Sequence, residues 1–499
     1  MGLKSNLGKP YAKLVVKSNK KWIEKPITAQ NRTFKSLIKS AQNTAFGKDH
    51  CFNEINSYED FKARVPVVDY EKIKPYIERI QQGEKDVLWP ETPLYFCKTS
   101  GTTSGVKYIP ISKDSMPFHI KCAKDAILSY IDETGDTNAL KGGNIFIQGS
   151  PELDETNNIP VGRLSGIVAH YIPWYLQSSN FPSFETNCIE DWEEKLDAII
   201  EETLDQNMTL ISGIPPWVQM YFERIVAKTG KKISEVFPNF SLLVFGGVAF
   251  EPYKKSFKQL IGKDIPSIET YPSSEGFIAY QDSQSEEGML LCANHGVFYE
   301  FIPAGEYFNE NPTRISLQDV ESGVDYALIL NTNAGLWGYS IGDTVRFVST
   351  KPYRLVVSGR IKHFTSAFGE HVIGKEVENA LQKTIEKHLA EVNEFHVAPQ
   401  VNPKNGLPYH EWFIEFKKDP ENLEVFAHCL DEYMRSQNTY YQDLITGNVL
   451  RPLVVSKVEK SGFIQYMKSV GKLGGQNKVP RLANDRKIAD KLNDYLNGK

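Results

Sequence analysis

Lys98-Thr-Ser-Gly-Thr-Thr-Ser-Gly-Val-Lys107 organises the rest of the chain. The apolar run Leu94-Tyr-Phe-Cys97 precedes it and Tyr108-Ile-Pro-Ile111 follows, and both flanks predict short strands. The middle is then a hydroxyl- and glycine-rich loop. Gly101 and Gly105 permit positive φ and close approach to a ligand. Ser100, Thr102, Thr103 and Ser104 add hydroxyl donors, and successive backbone N–H groups can form an anion-binding concavity. Lys98 and Lys107 place positive charge at either end. A polyphosphate needs these groups. The spacing differs from Gly-x-x-x-x-Gly-Lys-Ser/Thr leading into a helix. Taken alone, the stretch also fits an ordinary tight hairpin.

Working outward, Asn144-Ile-Phe-Ile-Gln-Gly149, Thr209-Leu-Ile-Ser-Gly213 and Ser241-Leu-Leu-Val-Phe-Gly-Gly247 predict buried strands ending in glycine. They alternate with predicted helices over 115–132, 191–205 and 216–228, which indicates an α/β fold with a largely parallel sheet. Ligands of such sheets bind beyond the carboxyl ends of the strands, where Gly149, Gly213, Gly246 and Gly247 fall. Glu269-Thr-Tyr-Pro-Ser-Ser-Glu-Gly276 is the second chemical stretch. Glu275 offers a hard oxygen to Mg²⁺ and Tyr271 a ring to a base, while Ser273 or Ser274 could simply cap a helix. Residues 288–342 are strand- and turn-rich. Tyr339-Ser-Ile-Gly-Asp343 sets an acid immediately before a predicted strand, where it could accept from ribose hydroxyls or merely occupy a turn.

Residues 1–85 predict helices, with an extended segment at Phe61–Asp69 and Asp69 as a helix cap. Past residue 360 the pattern becomes that of a small α+β domain: a helix over 370–389, half-exposed strands at 391–398 and 409–416, a helix over 423–437, a strand at 450–458 and a basic, flexible tail at 471–482. The expected fold is α/β: a large N-terminal domain (1–360) with mostly parallel sheets plus a β-rich subdomain, and a small α+β C-terminal domain (361–499).

With 499 residues, 41% hydrophobic and 24% charged, the chain can bury a large core. A net charge of −5 offers no electrostatic case for nucleic acid. The six cysteines, Cys51, Cys97, Cys122, Cys188, Cys292 and Cys429, lie far apart, which argues against a zinc site or disulfide framework and fits a reducing compartment. With no secretory signal and no long apolar run, a cytoplasmic protein that does not span a membrane is expected, as a monomer or weak dimer.

The loop, the Tyr271-Pro-Ser-Ser-Glu-Gly276 turn, Gly342-Asp343 and a basic tail in a small C-terminal domain stand in an order that resembles the adenylate-forming enzymes. In detail the chain is similar to the auxin-responsive (Gretchen Hagen) acyl-acid amido synthetases of plants and their bacterial relatives. The motifs carrying this are Thr99–Pro110, Tyr271–Gly276, Tyr339–Asp343 and Gly475-Gln-Asn-Lys-Val-Pro-Arg481. The resemblance implies ATP and Mg²⁺ as cofactors and a two-step reaction: a carboxylic acid becomes an acyl-adenylate, and an amine, typically an amino acid, takes the acyl group. It implies that Ser100 to Gly105 hold phosphates and that Gly246 and Gly247 face adenine. Tyr271, Ser273 and Ser274 would contact base or α-phosphate, Glu275 would hold Mg²⁺, and Asp343 and Arg360 would bind ribose. Arg360 or Lys362 would lie near the hinge of a mobile small domain, and Lys472 or Lys478 would stabilise the adenylation transition state. Pro272 departs from the Ala or Gly expected there. For the acid pocket the candidates are Arg163, Tyr171, Trp174, Trp217 and Tyr221. Two other readings are an acyl-CoA ligase sharing the first step and a non-catalytic nucleotide-binding protein.

Overall fold

The computed structural model describes residues 3–100, 106–173, 177–247, 250–307, 309–361, 364–365, 367–368, 370, 372–470 and 479–496. The chain divides into two compact units. The first comprises Met1–Thr99, Lys107–Ile189 and Lys195–Ile361; the second comprises Lys362–Lys499 with the short segments Ser100–Val106 and Glu190–Glu194.

In the first unit the strands are β1 (Tyr95–Ser100), β2 (Val106–Ile111), β3 (Gly143–Ile147), β4 (Asp154–Thr156), β5 (Ile159–Gly162), β6 (Asn180–Phe181), β7 (Met208–Gly213), β8 (Leu242–Gly246), β9 (Ser267–Ser273), β10 (Gly276–Tyr280), β11 (Met289–Leu291), β12 (Val297–Pro303), β13 (Ile315–Ser316), β14 (Asp325–Thr332), β15 (Tyr339–Thr350) and β16 (Tyr353–Arg360). Four make a small sheet in the order β2-β1-β5-β4. The other twelve make one continuous sheet, β13-β12-β14-β15-β16-β11-β10-β9-β8-β7-β3-β6. From β9 to β6 every pairing is parallel. From β9 to β13 every pairing is antiparallel. The β-rich stretch is therefore no separate layer; it extends the parallel sheet edge to edge. The two halves meet at the β9–β10 hairpin, whose connection is Ser274-Glu275.

The short, apolar strands with burial on both faces explain the parallel half: β7 carries Met208, Leu210 and Ile211, all buried. Helix Pro215–Thr229 opens directly after β7, with Pro215 and Pro216 in its first turn, where a missing N–H costs nothing. Helix Met116–Thr134 packs on β9 and β10. The N-terminal helices run Leu3–Ile23 and Pro26–Ala41. Phe61, expected in an extended segment, lies inside helix Tyr58–Arg64, closed at its start by the Ser57–Asp60 capping box. Asp69 caps helix Tyr70–Gln81 as the sequence predicts. Among the described residues no helix is long and apolar enough to cross a membrane.

The second unit has a three-stranded sheet, β19-β20-β21, of Glu391–Gln400, Tyr409–Lys418 and Val454–Val458, preceded by a two-stranded ribbon of β17 (Phe364–Thr365) and β18 (Val372–Ile373). Helices Gly374–His388 and Leu423–Gln437 pack on one another. Part of the tail that reads as flexible is fixed. Val479 and Leu482 are buried in this unit's core, the Val397 N–H donates to Arg481 O at 2.9 Å, and the Ala483 N–H donates to Val397 O at 2.9 Å. Apolar side chains every third residue secure a segment whose polar composition suggested otherwise.

Candidate active site

The carboxyl ends of the parallel strands carry the predicted glycines. At Gly246 a Cβ would stand 2.4 Å from Thr270 O, so a side chain there would separate β8 from β9. Gly247 has φ of 84°, a conformation that favours glycine. The Thr270 hydroxyl donates to Phe245 O at 3.0 Å and ties these ends together.

Beside them lies the β9–β10 hairpin. Ser273 Oγ donates to Gly276 O at 2.9 Å and shapes the turn that presents Glu275 half-buried. Tyr271, on β9 and 9% exposed, donates its hydroxyl to Asp343 Oδ2. Asp343 is 8% exposed and sits inside β15, not before it; the strand already begins at Tyr339. Its Cα partner across the β15–β16 pairing is Arg360. The two residues read from sequence as ribose ligands are thus placed opposite one another by strand register.

The small sheet contributes from β1. Cys97 is fully buried, its thiol donates to Ser274 Oγ at 3.0 Å, and burial pushes it up to about 12, so it serves as a neutral donor. The field of Glu275 raises it further and that of Arg163 opposes this, which places both charges near the same sulfur. Arg163 follows β5, and its Cδ lies 3.3 Å from where a Cβ of Gly149 would stand at the end of β3. Lys98 pairs with Asp154, and the Lys107 ammonium lies 5.6 Å from the Tyr70 ring centroid, so both loop-flanking lysines already have a local partner.

The acid-pocket candidates separate. Trp217 is half-buried in the first turn of helix Pro215–Thr229, directly beyond β7. Tyr171 donates to Tyr95 Oη at 3.2 Å, at the first residue of β1 and about one strand length from the loop. Tyr221 is a correction: it is fully buried, 2.7 Å from the Thr203 hydroxyl, in the packing between helices Pro215–Thr229 and Trp192–Thr203. The helical spacing that drew attention to it is that of a core stripe. Gly101, Thr102, Thr103, Ser104, Gly105, Trp174, Lys362, Lys472 and Lys478 lie outside the described residues, and Ser100 and Arg360 are described by backbone alone.

Two neighbours escaped the sequence reading. Cys97 sat in an apolar run and read as core. Gln148, 2% exposed just past β3 with Oε1 making no hydrogen bond, carries no motif. Position just past a strand's carboxyl end is the one signal Gln148 gives, and Cys97, in the middle of β1, gives none.

Three consecutive family models match the chain: the GH3 family N-terminal domain over residues 16–187, the central domain over 290–360 and the C-terminal domain over 375–487. Similar curated proteins include indole-3-acetic acid-amido synthetase GH3.3 of Arabidopsis thaliana, 21% identical over 94% of this chain and 91% of that protein. Jasmonoyl–L-amino acid synthetase JAR6 of Nicotiana attenuata is 22% identical over 91% of this chain and 90% of its own. Among solved structures, the GH3.15 acyl acid amido synthetase in complex with 2,4-DB superposes with a TM-score of 0.59 at 16% identity, covering 97% of this chain and 96% of that one. A 2-hydroxyisobutyryl-CoA ligase superposes at 0.58 and 15% identity, covering 94% and 92%. These likenesses show a shared fold.

Proposed function

The chain belongs to the GH3 family, and from that premise we propose that it is an ATP-dependent acyl-acid amido synthetase. A substrate carboxylate attacks the α-phosphate of ATP, giving acyl-adenylate and pyrophosphate. The nitrogen of an amine, an amino acid by the printed names of the relatives, then attacks the acyl carbonyl, and AMP leaves. The observation that carries the reading is the Tyr271–Glu275 hairpin at the point where the parallel sheet turns antiparallel, beside the carboxyl ends of β3, β7 and β8. Ligands of open parallel sheets bind beyond the carboxyl ends of the strands, which this hairpin adjoins.

Roles follow from placement. Gly246 and Gly247 admit the adenine because their backbone has no side chain in the way. Asp343 accepts from the ribose hydroxyls, oriented by Tyr271. Ser273 and Ser274 border the α-phosphate, and Arg163, whose charge acts on the same Cys97 sulfur as that of Glu275, supplies the countercharge for the acid's carboxylate. The donors of the loop from Ser100 to Gly105 bind the departing pyrophosphate. Attack at phosphorus builds negative charge on phosphate oxygens, and preorganised donors with a tail lysine, Lys472 or Lys478, offset it. Mg²⁺ fits this arrangement, since Glu275 is a half-buried hard oxygen donor and the ion takes its other ligands from water and phosphate. Its charge would neutralise the phosphates.

Acid-dependent ATP–pyrophosphate exchange across aromatic, indolic and fatty acids tests the proposal, followed by product analysis with amino acids and with CoA. Exchange with an amide product is expected. A thioester would transfer the protein to the ligase reading, and no exchange with any acid would defeat catalysis by adenylation.

A further inference from the structure

Within the first unit lies a buried cluster that the proposed reaction does not use. Cys122 stands on helix Met116–Thr134. Cys292 and His295 flank the turn Cys292-Ala-Asn-His295 between β11 and β12. Cys122 Sγ and Cys292 Sγ are 3.7 Å apart, and a ring nitrogen of His295 lies within 4.8 Å of both sulfurs. All three are buried, at 0%, 0% and 3% exposure. Two sulfurs bound tetrahedrally at 2.3 Å from one zinc would stand about 3.8 Å apart. We propose that Cys122, Cys292 and His295 form a buried structural site for a soft divalent cation of the zinc class, independent of the adenylation site.

The surroundings are built for it. The Trp22 and Phe118 rings meet the imidazole edge-on at 5.3 and 5.4 Å and hold its plane. The turn is fixed by Gln30, whose side-chain amide donates to Ala293 O at 2.8 Å and Val297 O at 2.9 Å. One turn along the helix from Cys122, Asp125 has a buried Oδ1 that makes no hydrogen bond, and the Tyr280 hydroxyl is likewise buried without one. Orphaned polar atoms inside a protein are uncommon and costly. The other Asp125 oxygen is held by Asn19 and Lys121, and Lys121 Nζ also lies 3.3 Å from His295 Nε2. Charge balances: two thiolates offset a dication, and the Lys121–Asp125 pair is neutral by itself. Binding would release both thiol protons to solvent.

The test uses the reduced full-length chain. Stripped protein titrated with Co²⁺ should take up one equivalent with a thiolate-to-cobalt charge-transfer band, which added Zn²⁺ bleaches. Zn²⁺ should also raise the thermal midpoint over that in chelator, a readout needing no variant. Cys292→Ser should weaken Co²⁺ binding by at least about tenfold, on the scale of losses at metal sites. Cys51→Ser should leave it unchanged. No charge-transfer band in the wild type, or an undiminished one in Cys122→Ser/Cys292→Ser, overturns the site. So does a titre of four thiols in unreduced, denatured protein that reductant restores to six, because the pair would then be a disulfide-forming couple.

Discussion

Glu275 and Tyr271 show what single residues supply. Glu275 is a half-buried carboxylate on a two-residue turn. Glu275→Ala should abolish acid-dependent pyrophosphate exchange while circular dichroism and the unfolding midpoint stay at wild-type values; unchanged exchange would remove the metal-binding role. Tyr271 instead spends its hydroxyl on a buried carboxylate. Hydrogen bonds to charged groups contribute about 1.5–3 kcal/mol. Tyr271→Phe should therefore lower stability by that amount in urea unfolding and weaken nucleotide binding, because Asp343 loses the donor that orients it.

At the scale of elements, a buried ion pair in the antiparallel half of the sheet also reaches the N-terminal segment. Glu300 on β12 is fully buried, and Arg314, just before β13, meets it with Nε and Nη2 at 3.1 and 2.9 Å while Nη1 donates to Val65 O at 2.6 Å. Tyr58 and Asn331 donate to the same carboxylate. Arg314→Ala leaves that charge buried without its cation, which costs about 3–5 kcal/mol. Urea unfolding of the variant should show a loss of that size; a change below 1 kcal/mol would mean Tyr58 and Asn331 suffice. In the tail, Val479–Leu482 is pinned to β19. Lys478 adjoins this anchored segment and Lys472 lies seven residues before its start. Lys472→Ala and Lys478→Ala should accordingly differ sharply in adenylation rate, measured by pyrophosphate exchange. Equal, near-wild-type rates would exclude both.

Across the whole molecule, each unit buries a neutral histidine. His119 in the first and His396 in the second are both held down at about 4 by burial. Unfolding returns each to its ordinary value of about 6.5, so the unfolded chain takes up protons that the folded one refuses. Their contribution to stability is full above about pH 6.5 and is lost as pH falls toward 4, with a slope near 1.4 kcal/mol per pH unit for each group. Urea unfolding between pH 7 and 4 should show this acid-side loss, and His119→Gln should reduce its slope by about one proton. A slope identical to wild type would mean that His119 is protonated in the folded protein.

Local pattern decided much of this protein. Apolar runs closed by glycine located β3, β7 and β8, and Ser, Thr and Gly flanked by strands located the loop, because strand period and turn chemistry are properties of neighbouring residues. Motif order along the chain carried the family, which three consecutive family models match. Tertiary structure alone decided the rest. Strand register set Asp343 opposite Arg360 inside β15, where spacing had put the acid before the strand. Packing made Tyr221 core, since a helix stripe looks the same whether it faces a pocket or another helix. The clearest case is the cysteines: a separation of 170 residues argues against a zinc site, yet the approach of helix Met116–Thr134 to the sheet brings Cys122 and Cys292 to 3.7 Å. Ligand distance is a property of the folded core, and no separation along the chain encodes it.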